Sequence, residues 1–86
     1  MIRDRHEGAG LASELLRVPL VDAVEHSRDL PEIDAFFFWV PTRGGGQLIV
    51  GRDGSVLFGV SALSLPQLVE AFAAGRRTDR ALFGAR

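Results

Sequence analysis

Apolar residues concentrate between positions 35 and 60, in three short runs separated by two glycine-bearing segments. The first run holds five consecutive aromatic or β-branched residues, Phe36 to Val40, which fit a pleated and packed surface better than a helix. Pro41 cannot donate a hydrogen bond to a ladder and therefore ends this run. The pattern predicts an antiparallel meander whose three strands occupy residues 35–40, 47–51 and 55–60.

Two glycine-bearing turns join the predicted strands. The first contains Gly44-Gly45-Gly46, which permits positive φ angles at no steric cost. The second contains Asp53-Gly54, a pair typical of the two-residue type I′ hairpin turn. With these two residues at its centre, the opposing pairs are Val50 with Leu57, Ile49 with Phe58, and Leu48 with Gly59. Both faces of the sheet are then apolar, and both need cover.

Helical patterns flank the meander on both sides. Before it, apolar spacing predicts helices at residues 11–17 and 20–28, and the charge-rich residues 1–9 are expected to form a flexible tail. After it, Ser64 and Gln67 have the spacing of a capping box and predict a helix over residues 65–74. The apolar stripe of that last helix lies at positions i, i+3, i+4 and i+7, namely Leu65, Leu68, Val69 and Phe72.

The order of these elements, α-α-β-β-β-α, predicts a single small α+β domain over residues 1–86. The N-terminal helices can cover one face of the sheet and the C-terminal helix the other, which makes a thin three-layer domain. Otherwise a second subunit or a partner must cover the remaining apolar surface. On this argument a homodimer is favoured over a monomer.

The composition narrows the class of protein. The 86 residues include no cysteine, which excludes disulfides, thiolate chemistry and cysteine metal sites. No apolar run approaches the roughly 20 residues of a membrane span. Glu14 and Arg17 interrupt the only stretch that resembles a signal peptide, so a cytoplasmic location is expected. All ten basic residues are arginine, which indicates a GC-rich, bacterial genome.

The charges are unevenly placed along the chain. Residues 1–34 hold four arginines against eight acidic residues, whereas residues 35–86 hold six arginines against three. Such asymmetry is typical of an interaction surface. The predicted partner-binding set is the acidic cluster around the second helix, which would attract a basic protein: Asp22, Glu25, Asp29, Glu32 and Asp34.

The same cluster has two other interpretations. Asp22, Glu25, His26 and Asp29 follow helical spacing, and a histidine with carboxylates on one helix face can chelate a metal ion. A solvated polar face opposite the apolar side of the helix explains the same spacing and is favoured over a metal site. No metal and no cofactor are therefore predicted.

A second candidate site is basic and rich in glycine. Backbone N–H groups of a glycine loop and nearby guanidinium groups can hold an anion, and the residues available are Arg43, Gly44, Gly45, Gly46, Arg76 and Arg77. A phosphate-binding P-loop needs a following helix and a lysine, both of which this segment lacks. Nucleic-acid binding is disfavoured by the net charge of −1 and by the absence of an RNA-binding motif on the strands.

Catalysis has little support in the sequence. His6 and His26 are the only histidines, and no nucleophile, base and orienting residue can be assembled around them. The leading hypothesis is a non-enzymatic protein-interaction domain, such as an immunity, inhibitor or adaptor protein, which binds through an acidic helix face or an apolar sheet face. The alternative is a module that binds a small ligand or nucleic acid through the glycine loop and the C-terminal arginines.

Overall fold

A computed structural model of the chain describes residues 2–41, 45–59 and 63–79. It has an α+β fold, as predicted, with four strands where three were expected. The elements in chain order are α1 (Arg5–Leu16), α2 (Leu20–Glu25), β1 (Ser27–Leu30), a 3-10 turn (Pro31–Ile33), β2 (Ala35–Trp39), β3 (Gln47–Gly51), β4 (Val56–Gly59) and α3 (Leu65–Ala73). None of these helices has the length and apolar character needed to cross a membrane.

The additional strand is β1, at the end of a segment predicted to be helical. The predicted helix over 20–28 is too long, because α2 ends at Glu25 and the chain turns directly into β1. The sheet is an antiparallel meander in the order β1-β2-β3-β4. Since β2 is buried, both of its edges need hydrogen-bonding partners, and β1 supplies one of them. The side chain of Leu30, at the end of β1, is only 3% exposed.

The hairpin between β3 and β4 differs from the predicted type I′ turn. Only Gly54 has a positive φ there, of 86°. Gly51 N–H donates to the Ser55 carbonyl at 2.8 Å, so the loop has three residues instead of two. The observed pairs are Val50 with Val56, Ile49 with Leu57, and Leu48 with Phe58. This shift by one residue moves every side chain of β4 to the opposite face of the sheet.

The two faces of the sheet are covered by helices of the same chain, in the predicted three-layer arrangement. On one face, α1 and α2 pack on a cluster formed by Phe36, Phe38, Leu48, Val50 and Val56. On the other face, α3 packs on a cluster formed by Leu30, Ala35, Phe37, Ile49 and Leu57.

The predicted flexible tail over residues 1–9 is wrong for the part that the structure describes. Helix α1 begins at Arg5, and the Asp4 side chain caps it by accepting from Glu7 N–H at 2.9 Å. Ahead of the helix, Ile2 N–H donates to the Arg52 carbonyl at 2.7 Å. The first turns are held against the sheet by small buried residues, which leave no apolar stripe in the sequence.

Helix α3 matches its prediction to within one residue. Both hydrogen bonds of the capping box form, with Gln67 N–H donating to Ser64 Oγ at 3.3 Å and Ser64 N–H donating to Gln67 Oε1 at 3.0 Å. Gly75 follows the helix with a φ of 96°, as a left-handed residue after the C-terminus. Leu68 and Phe72 of the predicted stripe are buried.

Candidate protein-interaction surface

The five predicted partner-binding carboxylates do not share one helix face. Asp22 and Glu25 lie on α2, Asp29 lies in β1, Glu32 lies in the 3-10 turn, and Asp34 links that turn to β2. All five are exposed. The predicted helical face of Asp22, Glu25, His26 and Asp29 is wrong, because the helix ends before His26. Among the described residues, no three His, Asp or Glu side chains come together as metal ligands.

Two of these carboxylates are paired with arginines of the same chain. Asp29 lies 3.6 Å from the Arg5 guanidinium, and Asp34 accepts a hydrogen bond from Arg52 Nε at 2.5 Å. Both pairs are well exposed, so they contribute little to stability, but they balance part of the acidic charge. Asp34 also has a left-handed φ of 54° and joins the 3-10 turn to the β3–β4 hairpin. Its position is therefore explained by the fold.

The two edges of the sheet differ in whether another segment of the chain bonds to the edge strand. At the β4 edge, Thr78 N–H donates to the Val56 carbonyl at 2.7 Å, and Phe58 N–H donates to Thr78 Oγ1 at 2.9 Å. The segment after α3 therefore lies along β4 and satisfies its outward groups. At the β1 edge no strand follows, and within the described chain no hydrogen bond joins the outer backbone groups of β1 to another segment.

The open edge of β1 runs beside a groove, which we call the β1–α3 groove. Its volume is about 640 Å³. The apolar floor is formed by Leu30, Leu65 and Val69, and the charged rim by Arg28, Glu32 and Glu70. Leu65 and Val69 are half-buried, while all three rim residues are exposed. Within the part of the chain that the structure describes, Glu32 and Glu70 form no ion pair.

Sequence reasoning included Glu32 in the candidate site but missed Glu70. Glu70 lies on α3, 38 positions further along the chain than Glu32. The two residues line the same groove because α3 packs against the 3-10 turn. No local pattern joins the two residues. The only available signal was that Glu70 is the single acidic residue of the last predicted helix.

The residues of the predicted anion site are placed far apart. Arg43 and Gly44 lie outside the described residues. Gly46 precedes β3, whereas Arg77 lies at the other end of that strand, beside the β3–β4 hairpin. A five-residue strand separates the two by about 15 Å. The structure therefore does not bring Gly45 and Gly46 together with Arg76 and Arg77.

Gly46 and Arg77 each have a role in packing. A Cβ atom at Gly46 would collide with the ring of Phe58, so a side chain fits there only if that ring moves. The Arg77 guanidinium lies 3.5 Å from the Phe72 ring centroid and donates to the Phe72 carbonyl at 2.8 Å. It also donates to Ser55 Oγ at 2.8 Å. Arg77 therefore caps the end of α3, as its position after the helix predicts. Arg76 is exposed.

Beside Arg77, a small hydrogen-bonded turn fixes the hairpin. Asp53 Oδ1 accepts from Ser55 Oγ at 2.6 Å and from Ser55 N–H at 2.9 Å. These hydrogen bonds hold the pKa of Asp53 below its ordinary value, and the nearby charge of Arg77 acts in the same direction. The Asp53 side chain is therefore held in place by its role in the turn.

The two histidines lie on different elements, since α1 carries His6 and His26 contacts Trp39, which packs on the cluster of the α3 face. His6 is exposed on α1, and the ring of His26 lies edge-on to Trp39 at a centroid distance of 5.8 Å. Across the described ranges, every buried side-chain nitrogen and oxygen has a hydrogen-bond partner.

Comparison of the chain with known protein families, with curated proteins and with solved structures finds no match.

Proposed function

We propose that the protein is a non-enzymatic interaction domain that binds a basic protein partner at the β1–α3 groove. The observation that supports this best is the combination of an apolar floor with two carboxylates that form no ion pair with any other described residue. Protein interfaces typically have an apolar centre and a polar rim, and this groove has the same layout. The proposal moves the site from the predicted acidic helix face to the sheet edge.

The charge of the rim favours a basic partner. Glu32 and Glu70 outnumber Arg28, and neither carboxylate is ion-paired within the ranges that the structure describes. A negative patch attracts a positive surface and raises the rate of association, an effect that salt weakens. A partner with a basic active cleft would be inhibited when the domain covers that cleft. An immunity or inhibitor protein would act in this way, whereas an adaptor would only hold its partner.

The alternative anion or nucleic-acid site has no specific support. Arg77 is engaged with Phe72 and Ser55, and Gly46 packs against the ring of Phe58. The predicted homodimer is also less well motivated, because each sheet face is already covered by helices. Both remain predictions. Light scattering over a dilution series measures the oligomeric state.

The test begins with the protein that co-purifies from the native cell lysate, which is then isolated. In the first variant Glu32→Arg and Glu70→Arg are combined. The matched control combines Asp22→Arg and Glu25→Arg, which makes the same change of charge on α2. We expect the association rate of the groove variant to fall about tenfold or more, with a much smaller change for the control.

Binding to the isolated partner should also weaken steeply as the salt concentration rises. Circular dichroism of both variants checks that the fold is retained. If the groove variant associates at the wild-type rate, the groove is not the binding site. A large loss in the control alone would return the site to the acidic face of α2.

A further inference from the structure

Building on the proposed function, we infer that the partner contributes an extended basic segment, which pairs with the outer edge of β1 as a fifth, antiparallel strand. Strand addition of this kind obtains affinity from main-chain hydrogen bonds and specificity from alternate side chains. The β1–α3 groove offers both, because its floor and rim lie directly beside the open edge.

The backbone of β1 presents a defined set of outward groups. Trp39 N–H donates to the His26 carbonyl at 3.2 Å, which fixes the register at the start of β1. Because antiparallel pairs alternate, Arg28 and Leu30 bond to β2, whereas Ser27 and Asp29 direct their N–H and C=O groups outward. Two residues with one donor and one acceptor each can form four hydrogen bonds with an added strand.

The other edge of the sheet cannot accept a strand in the same way. Thr78 already bonds to the outward groups of Val56 and Phe58. Of the two edges that the structure describes, β1 is therefore the one open to an extended segment.

The side chains beside the edge specify the chemistry of this segment. Arg28 and Leu30 share the α3 face of the sheet, since they pair with Phe37 and Ala35. A residue of the added strand that lies opposite Leu30 reaches Glu32 and Glu70, so a lysine or arginine is favoured there. A residue opposite Arg28 is favoured to be apolar, because a second positive charge would be repelled.

A second copy of this chain does not fit the edge. If Ser27 of one copy pairs with Asp29 of the other, the two Arg28 side chains lie directly opposite each other, and like charges in that position are destabilising. Sliding the copies toward Pro31 is blocked because Pro31 has no N–H to donate. Sliding them the other way places Asp29 opposite Glu25, which lies in helix α2 and offers no strand edge. The edge therefore accepts a different chain more readily than its own.

The probe is a capped synthetic peptide, Thr-Arg-Thr-Leu-Thr-Arg-Thr, titrated into the wild-type protein. In the inferred register the threonine N–H groups face β1, and the arginine and leucine side chains lie over the groove. Methylation of the threonine amide nitrogens should weaken binding about tenfold or more. Methylation of the arginine and leucine amides, which face away from β1, should leave the affinity within about twofold. A peptide with glutamate in place of arginine should bind more weakly than the parent.

Amide hydrogen exchange gives a second readout. With saturating peptide, exchange at Ser27 and Asp29 should slow about tenfold, while Arg28, which is already bonded to β2, should change little. Unchanged exchange at Ser27 and Asp29, or equal binding of the threonine-methylated peptide, overturns strand addition. If the Glu32 and Glu70 reversal still slows association with the natural partner, the proposed function stands and only the mode of binding is wrong. If that reversal has no effect either, both are wrong.

Discussion

The two faces of the sheet are covered by helices of opposite character. Helix α3 places large side chains, Leu68 and Phe72, between itself and the strands. Helix α1 buries only Gly8, Ala9 and Ala12, so its backbone lies close to the rings of β2. A Cβ atom added at Gly8 would come within 3.1 Å of the Phe38 ring. On the α1 face, the large fully buried side chains belong to the sheet, and the fully buried residues of the helix are small.

This difference shows that a helix can cover a hydrophobic sheet with small residues at its fully buried positions, while its larger apolar residues, Leu11, Leu15 and Leu16, pack half-buried against the same cluster. Burial removes apolar area from water regardless of which partner carries the large side chain. Different substitutions should therefore destabilise the two faces. The α3 face is sensitive to loss of volume, and the α1 face is sensitive to added volume.

The largest expected effect is loss of volume on the α3 face. The Phe72 side chain is 5% exposed, and its truncation in Phe72→Ala should lower the free energy of unfolding by about 3–5 kcal/mol. Urea unfolding followed by Trp39 fluorescence measures this. Phe72→Leu should cost less, because it leaves a smaller cavity. Phe58→Ala is the control, since Phe58 is 37% exposed, and an equal loss there would contradict the assignment.

Added volume on the α1 face should have the next largest effect. Ala12 is fully buried against the sheet, and Ala12→Leu should cost about 1–3 kcal/mol through overpacking. Ala73→Leu makes the same change at an exposed position of α3 and should stay within about 0.5 kcal/mol of the wild type. Similar unfolding curves for Ala12→Leu and the wild type would show that α1 can move away from the sheet at little cost.

The smallest effect concerns the helix caps, which both faces share. Ser64→Ala removes the hydrogen bond to Gln67 N–H and should cost about 1 kcal/mol, and Asp4→Ala should have a similar effect on α1. Ser64→Asp keeps an acceptor at the N-cap and should preserve most of the stability. If Ser64→Asp is as unstable as Ser64→Ala in urea, the cap is not the reason that serine is needed.

The comparison of faces also explains what the sequence could predict. Helix α3 was found within one residue because its stripe and capping box are local signals. The strands β2 and β3 were found because aromatic and β-branched runs identify buried strands. The first six residues of α1 were missed because small residues give no periodic signal. Asp4 and Glu7 carry the N-cap spacing that could have located the start of this helix.

Strand β1 depends on its pairing with β2, and the hairpin register depends on side-chain hydrogen bonds in the turn. The pattern of apolar and polar residues along the sequence shows neither. Three of the four residues of β1 are polar, and the strand exists because β2 needs a partner at that edge. The turn between β3 and β4 has three residues because Asp53 bonds to Ser55. The candidate groove combines residues from β1, the 3-10 turn and α3, so of its floor and rim only Glu32 was predicted from the sequence.

The meander order of the sheet has a consequence for how the chain folds. Each strand is hydrogen-bonded to the next one in sequence, so the sheet assembles through short loop closures, which cost little chain entropy. By contrast, α1 reaches across more than 30 residues to contact β3, and such distant contacts are generally slow to form. We therefore expect both helical layers to pack after the sheet has formed, since α3 also reaches back across more than 30 residues to contact the 3-10 turn. Substitutions at such late contacts are expected to act mainly on the rate of unfolding.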